Sequence, residues 1–280
     1  MKPWQAALIS VTLLANTAQA APPKRPERIV SVNHCADQFL LYLALGDRVR
    51  SLSFHAADKG LSPHAHRLPD VPLNRGRAAE ILPLKPDLVV GGTWGASFAL
   101  GRLEALGVPV QRLEPVTNLA ETAAILQQLG TATGHDVAPH LHALAKARAN
   151  IQARAHGKPK PTALAIEARG LTTGPGSLRD DLMQLAGLTN LATAHGIKAY
   201  GRLSLEQILA LKPDILIHVP YAPNRPALAE DIFRHPAFDP WRQSGRLITI
   251  PTATFNCGTP RALMAAKLMR DAADRWAASQ

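Results

Sequence analysis

Past its N-terminal segment the sequence has no apolar run long enough to cross a bilayer, so no later helix spans a membrane. It lacks the Gly-x-Ser-x-Gly turn of serine hydrolases and any phosphate loop ending in Gly-Lys-Ser/Thr. Gly174-Pro175-Gly176-Ser177 looks like an anion-binding turn ahead of a helix, but a proline there removes one of the N–H donors such a turn needs. There is also no basic block. The 31 Lys and Arg outnumber the 21 acids, yet they are scattered along the whole sequence, which argues against a nucleic-acid tract. A diffuse positive field favours anionic small ligands or an anionic surface; solubility alone is the plainer account. Cysteine is scarce. Cys35 and Cys257 stand in different halves, and in an oxidising compartment such an even pair suggests a disulfide tying the halves together. Two separate packed thiols are the alternative, because the Cα separation a bridge needs cannot be read from sequence.

What is present begins with an address. Lys2, the apolar run Ala6 to Ala15 and the small-residue triplet Ala18-Gln19-Ala20 predict a signal peptide, residues 1–20, cleaved after Ala20. No Cys follows at the junction, which argues against a lipid anchor. About 260 residues then remain, enough for two domains. The expected product is exported and soluble.

The most informative feature is a repeat. Ile81-Leu82-Pro83-Leu84-Lys85-Pro86-Asp87 returns as Ile208-Leu209-Ala210-Leu211-Lys212-Pro213-Asp214, always 127 residues later. Each copy reads as an amphipathic helix stopped by a proline and followed by an apolar strand. Strands alternating with helices on either side predict mostly parallel sheets. Residues 136–155 differ: good helix formers run without glycine, and Gly157-Lys158-Pro159 ends them. The predicted fold is α/β, with two Rossmann-like lobes, 21–134 and 158–280, joined by a single long helix within 135–157. Two lobes make a cleft, and a cleft is a place to hold a ligand.

In their order, Arg28 to Val32, Ile81 to Val90, Gly174 to Leu178, Glu206 to Leu209 and Cys257-Gly258-Thr259-Pro260-Arg261 resemble the periplasmic iron-chelate and cobalamin binding proteins of ABC importers. The resemblance covers nearly the whole mature chain. It implies capture of a metal chelate between the lobes, with no chemistry performed on it, no cofactor, and delivery by a monomer to a membrane permease dimer. A ferric siderophore is the favoured ligand, with cobalamin or a related corrinoid next and haem third. The family also implies a glutamate at the start of the repeat helix in each lobe that meets permease arginines. Glu206 matches in the second lobe. In the first the matching residue is Ala79, and the nearest acid is Glu80, about 100° further round a helix.

Ligands of α/β sheets gather at the carboxyl ends of strands. The loops expected there offer His34 and Asp37, Trp94, Arg169, Tyr221 and Phe255, with Tyr200 and Arg202 near them. Trp94, among glycines, has nothing nearby to bury it and is free to stack on a flat ligand. Arg169, Arg202 and Tyr200 suit the carboxylate or catecholate oxygens of an anionic chelate. His34, Cys35 and Asp37 opposite Cys257 have metal-ligating chemistry, but a helix-start Asp beside a packed or bridged Cys is the commoner arrangement. His55, His64 and His66 carry the alternative of direct Zn or Mn binding. An exported hydrolase is the remaining alternative, with no acid–base pair of recognisable spacing behind it.

Overall fold

The computed structural model of the protein describes residues 25–94, 97–220 and 233–280. The expected signal segment, residues 1–20, and Tyr221 lie outside the described residues. The N-terminal lobe contains β1 (Ile29–Ser31), α1 (His34–Tyr42), β2 (Val49–Ser53), β3 (Leu73–Asn74) and α2 (Ala78–Ile81), then β4 (Leu88–Gly92), α3 (Ser97–Ala105), β5 (Val110–Leu113) and α4 (Leu119–Thr133). Its sheet runs β3-β2-β1-β4-β5 with every pairing parallel. Helix α5 (Ala138–Ala155) follows. The second lobe holds β6 (Thr162–Ile166), β7 (Leu171–Thr172), α6 (Leu178–Leu185), β8 (Thr189–Asn190), β9 (Gly201–Arg202) and α7 (Leu205–Leu211), then β10 (Ile215–His218), α8 (Asp239–Gln243), β11 (Leu247–Thr249) and α9 (Leu263–Ala278). Its parallel sheet runs β11-β10-β6-β8, and β7 with β9 forms a small antiparallel pair.

Strand alternation gives each sheet two apolar faces. In β6, Ala163 and Ala165 enter one cluster while Leu164 and Ile166 enter another. The shared cluster runs from α1 and α4 through Leu144 and Ile151 of α5 to Met183 of α6 and Met269 of α9. Helix α5 therefore packs on both lobes. Its 18 residues make a rod of about 27 Å. Among the described residues no helix is long and apolar enough to cross a membrane.

The duplicated motif folds alike twice. Lys85 and Lys212 both adopt the left-handed conformation, with φ 48° and φ 45°. Beyond each, an aspartate ties down the start of its lobe's central strand. Asp87 accepts from the backbone N–H groups of Glu27 and Arg28, and Asp214 accepts from the Thr162 N–H and hydroxyl. The helices differ, however. The expected first copy shrinks to the single turn α2 and a 3-10 turn, Leu82–Leu84. Pro83 occupies the place of Ala210 and has no N–H to donate.

Further connections cross between lobes beside α5, among them the Leu119 N–H donated to the Asp181 carboxylate at 3.0 Å. The sulfurs of Cys35, in the first turn of α1, and Cys257, after β11, are bonded, with Cα atoms 5.0 Å apart. Next to Cys257, Gly258 sits at φ +64°, and a Cβ there would lie 2.4 Å from a Val116 methyl. The Thr122 hydroxyl donates to the Gly258 carbonyl at 2.7 Å, closing the contact.

Candidate functional site

The loops leaving β4, β5, β6 and β11 converge with the first turn of α6 on a cleft of about 560 Å³. Both lobes contribute: Trp94, Glu114 and Val116 from the first, Glu167, Thr173, Arg179, Tyr200 and Phe255 from the second. This is the carboxyl end of both sheets, where the βα loops of parallel sheets leave a crevice.

Arg179 dominates its floor. The side chain is 7% exposed and pairs through one nitrogen with Glu167, while its guanidinium lies 4.9 Å over the Phe255 ring. Its Nε and Nη1, and the Oγ1 of Thr173, have no hydrogen-bond partner among the described residues. Leaving a buried donor unpaired costs on the order of 1–3 kcal/mol. Such groups lining a cleft suit an incoming anionic oxygen, and a guanidinium offers donors in a rigid fork. Across the cleft Glu114 accepts from the Thr93 hydroxyl at 2.9 Å. Trp94 and Tyr200, 71% and 69% exposed, present broad aromatic surfaces at the mouth. The floor thus presents charge and unpartnered donors, and the mouth presents flat apolar area.

Of the residues singled out from sequence, Trp94, Tyr200 and Phe255 line this cleft. Phe255 is nearly buried and acts through its face toward Arg179. Four others need correction. Asp37 is fully buried and accepts from both the N–H and hydroxyl of Ser53, because N-cap Asn33 starts α1 early enough to carry Asp37 inside. Burial raises its carboxyl to about 7. His34 packs against His55 with ring centroids 6.0 Å apart, off the cleft lining, and burial followed by the His55 charge lowers it to about 4. Arg169 and Arg202 are exposed but do not line the cleft; Arg202 Nη1 donates to the Arg169 carbonyl at 3.3 Å beside the β7–β9 pair.

Glu206 is exposed in the first turn of α7, where the Ser204 side chain and its own backbone N–H hold its carboxyl below the usual range. The Glu80 carboxylate instead accepts from the Arg75 N–H at 2.7 Å, and Ala79 stands exposed. Among the described residues no group of three or more His, Cys, Asp or Glu could hold a metal ion, His55, His64 and His66 included.

Arg179 and Thr173 escaped the sequence reading. Arg179 sits two residues after the helix-capping Ser177, and the turn before it reads for its backbone N–H donors alone. The usable signal was positional: a helix start at a strand's carboxyl end, with a basic side chain in its first turn, points that side chain toward the crevice.

Two parallel α/β lobes on one helix, enclosing a cleft of this kind, define a two-lobed binding protein. The chain belongs to the periplasmic binding protein family, which matches residues 65–253, and with that family goes a location in the periplasm or outside the cell. No curated protein matches the sequence. Among solved structures, Helicobacter pylori CeuE with Ni(II) bound is similar at a TM-score of 0.69 and 20% identity, covering 89% of this chain and 84% of that one. The periplasmic vitamin B12 binding protein BtuF of Vibrio cholerae gives 0.66 at 19% identity, covering 90% and 98%. The periplasmic heme-binding protein RhuT from Roseiflexus sp. RS-1 gives 0.67 at 22%, covering 89% and 99%. At these identities the likeness is one of fold.

Proposed function

We propose that this chain is the exported receptor of an ABC importer, made with a cleavable signal peptide at residues 1–20 and acting as a monomer. It captures a ferric siderophore between its lobes and passes it, chemically unchanged, to a membrane permease dimer. The observation that carries the choice of ligand class is the floor of the cleft. Arg179 and Thr173 offer unpaired donors there, which fit the carboxylate or catecholate oxygens of an anionic chelate. The aromatic mouth supports a second reading, since Trp94 and Tyr200 would stack equally well on a corrinoid or haem. The permease would meet the exposed first turn of α7 through Glu206.

Titrating the purified mature protein with ferric siderophores, cobalamin and haem, following Trp94 fluorescence, tests both readings. Saturable quenching by a ferric siderophore is expected, and Arg179→Gln should weaken it by roughly ten- to a hundredfold, the loss of one or two charge-assisted hydrogen bonds. Quenching by cobalamin or haem alone transfers the cleft to the second reading. Quenching by none of them ends the proposal.

A further inference from the structure

We propose that a groove between α5 and α9, separate from the cleft, binds an aliphatic monocarboxylate, its head at Arg261 and its chain along Leu144, Ala147 and Ile151. The groove holds about 670 Å³ and shares no lining residue with the cleft. Its trough is apolar: Leu144, Ile151 and Leu263 form the base, and Met264 stands 48% exposed on the wall. From Leu144 to Ile151 is two turns of helix, about 10 Å.

The two ends differ in charge, which gives the occupant a direction. At one end Arg154 is paired with Asp271 and Asp274, and Lys267 with Asp271, so their charges are met. At the other, Arg261 forms no ion pair among the described residues, and Arg67 only donates to the backbone carbonyls of Leu41 and Tyr42. Between them His64 is 5% exposed, lines the groove, and has both ring nitrogens without a partner among the described residues. Burial, then the charges of Arg67, Arg261 and His66, hold that imidazole down at about 4, with no acid acting against them. An uncompensated positive end on an apolar trough fits a carboxylate head with an aliphatic tail. Nothing in this argument depends on what the cleft binds.

Calorimetric titration of the mature protein with dodecanoate and, in parallel, dodecylamine, both below micelle formation, tests it. Dodecanoate should bind saturably with one site per chain and dodecylamine at least tenfold more weakly. Octanoate should bind more weakly still than decanoate, since each methylene seated in the trough is worth roughly three- to fourfold. Arg261→Gln should weaken dodecanoate at least tenfold with the thermal unfolding transition unchanged, and Met264→Glu should do the same from the trough side. Equal binding of acid and amine, an Arg261→Gln variant that binds as before, or no saturable heat would overturn the proposal. So would Arg261-dependent co-sedimentation with phosphatidylglycerol vesicles in the absence of dodecanoate binding, which would make the groove a membrane contact.

Discussion

Asp37, half-buried His34 and buried His64 give the N-terminal lobe opposing responses to pH. The Asp37 proton stays on to about 7 in the folded chain and leaves near an ordinary 3.8 in the unfolded one. Between those values the folded state binds more proton, so this residue's contribution falls as pH rises from about 4 to 7 and stays lost above. His34 and His64, lowered from 6.5 to about 4, act the other way, because the unfolded chain is the better proton acceptor and stability rises with pH over that window. With two groups against one, the wild-type protein should gain stability from pH 4 to 6.5. Asp37→Asn reproduces the neutral carboxyl, keeping an acceptor for the Ser53 N–H. Urea unfolding should therefore find that variant within about 1 kcal/mol of wild type at pH 4 and more stable than wild type at pH 8, by a few kcal/mol at most. A difference between the two proteins that is the same at both pH values would contradict the assignment of Asp37 as neutral. Neither role was visible in one dimension: an aspartate in a first helical turn reads as a cap, and only the packing of α1 on β2 turns it inward.

At the scale of elements, the sequence was most readable where periodicity and a stop signal coincide. Leu119–Thr133 ends at Gly134, left-handed at φ +60°, and Thr162–Ile166 is an apolar strand bounded by prolines and Glu167. Both had a period and a marked end to read. The two-residue strands β7, β8 and β9 did not, since two residues carry no period. The His-, Pro- and Gly-rich stretch 55–76 likewise hid β3 and two 3-10 turns. The repeat shows how far a pattern extends: its lysines and aspartates act alike in both copies, while one substitution, proline at 83 for alanine at 210, halves the first helix. That asymmetry bears on docking. In α7 Gln207 closes a capping box with Ser204, leaving neighbouring Glu206 projecting and ionised. In α2 Glu80 is spent on the Arg75 N–H. If the permease is met through α7, Glu206→Arg should abolish transport while ligand affinity in solution stays within about twofold of wild type, as expected of a surface change far from the cleft floor. Undiminished uptake by cells carrying Glu206→Arg would remove the docking role.

At the scale of the whole molecule, four ties bear on the spacing of the lobes: α5, the Cys35–Cys257 bond, the seat of Gly258 against Val116, and the Leu119 N–H donated to Asp181. A hinge on one flexible strand would let the lobes swing widely; here any closing motion must bend a packed helix and carry a covalent bond with it. The bond spans 222 residues, and by the chain-entropy argument such a loop restrains the unfolded chain by about 5 kcal/mol. It also anchors the loop of Thr252 to Asn256, which carries Phe255 beneath Arg179. The other ties do not depend on sulfur, so the double variant Cys35→Ser, Cys257→Ser should keep its fold and lose about 3 to 5 kcal/mol in denaturant unfolding. Its amide exchange should rise around 252–258 and hardly change along α5, where the shared core holds the rod on both sides. Thiol titration of the unfolded, unreduced wild-type protein should find no free thiol. Two reactive thiols would show that the bond is absent. If α5 exchanges as fast as the 252–258 loop once the bond is removed, then the helix does not hold the lobes apart, and the cleft owes its width to sulfur alone.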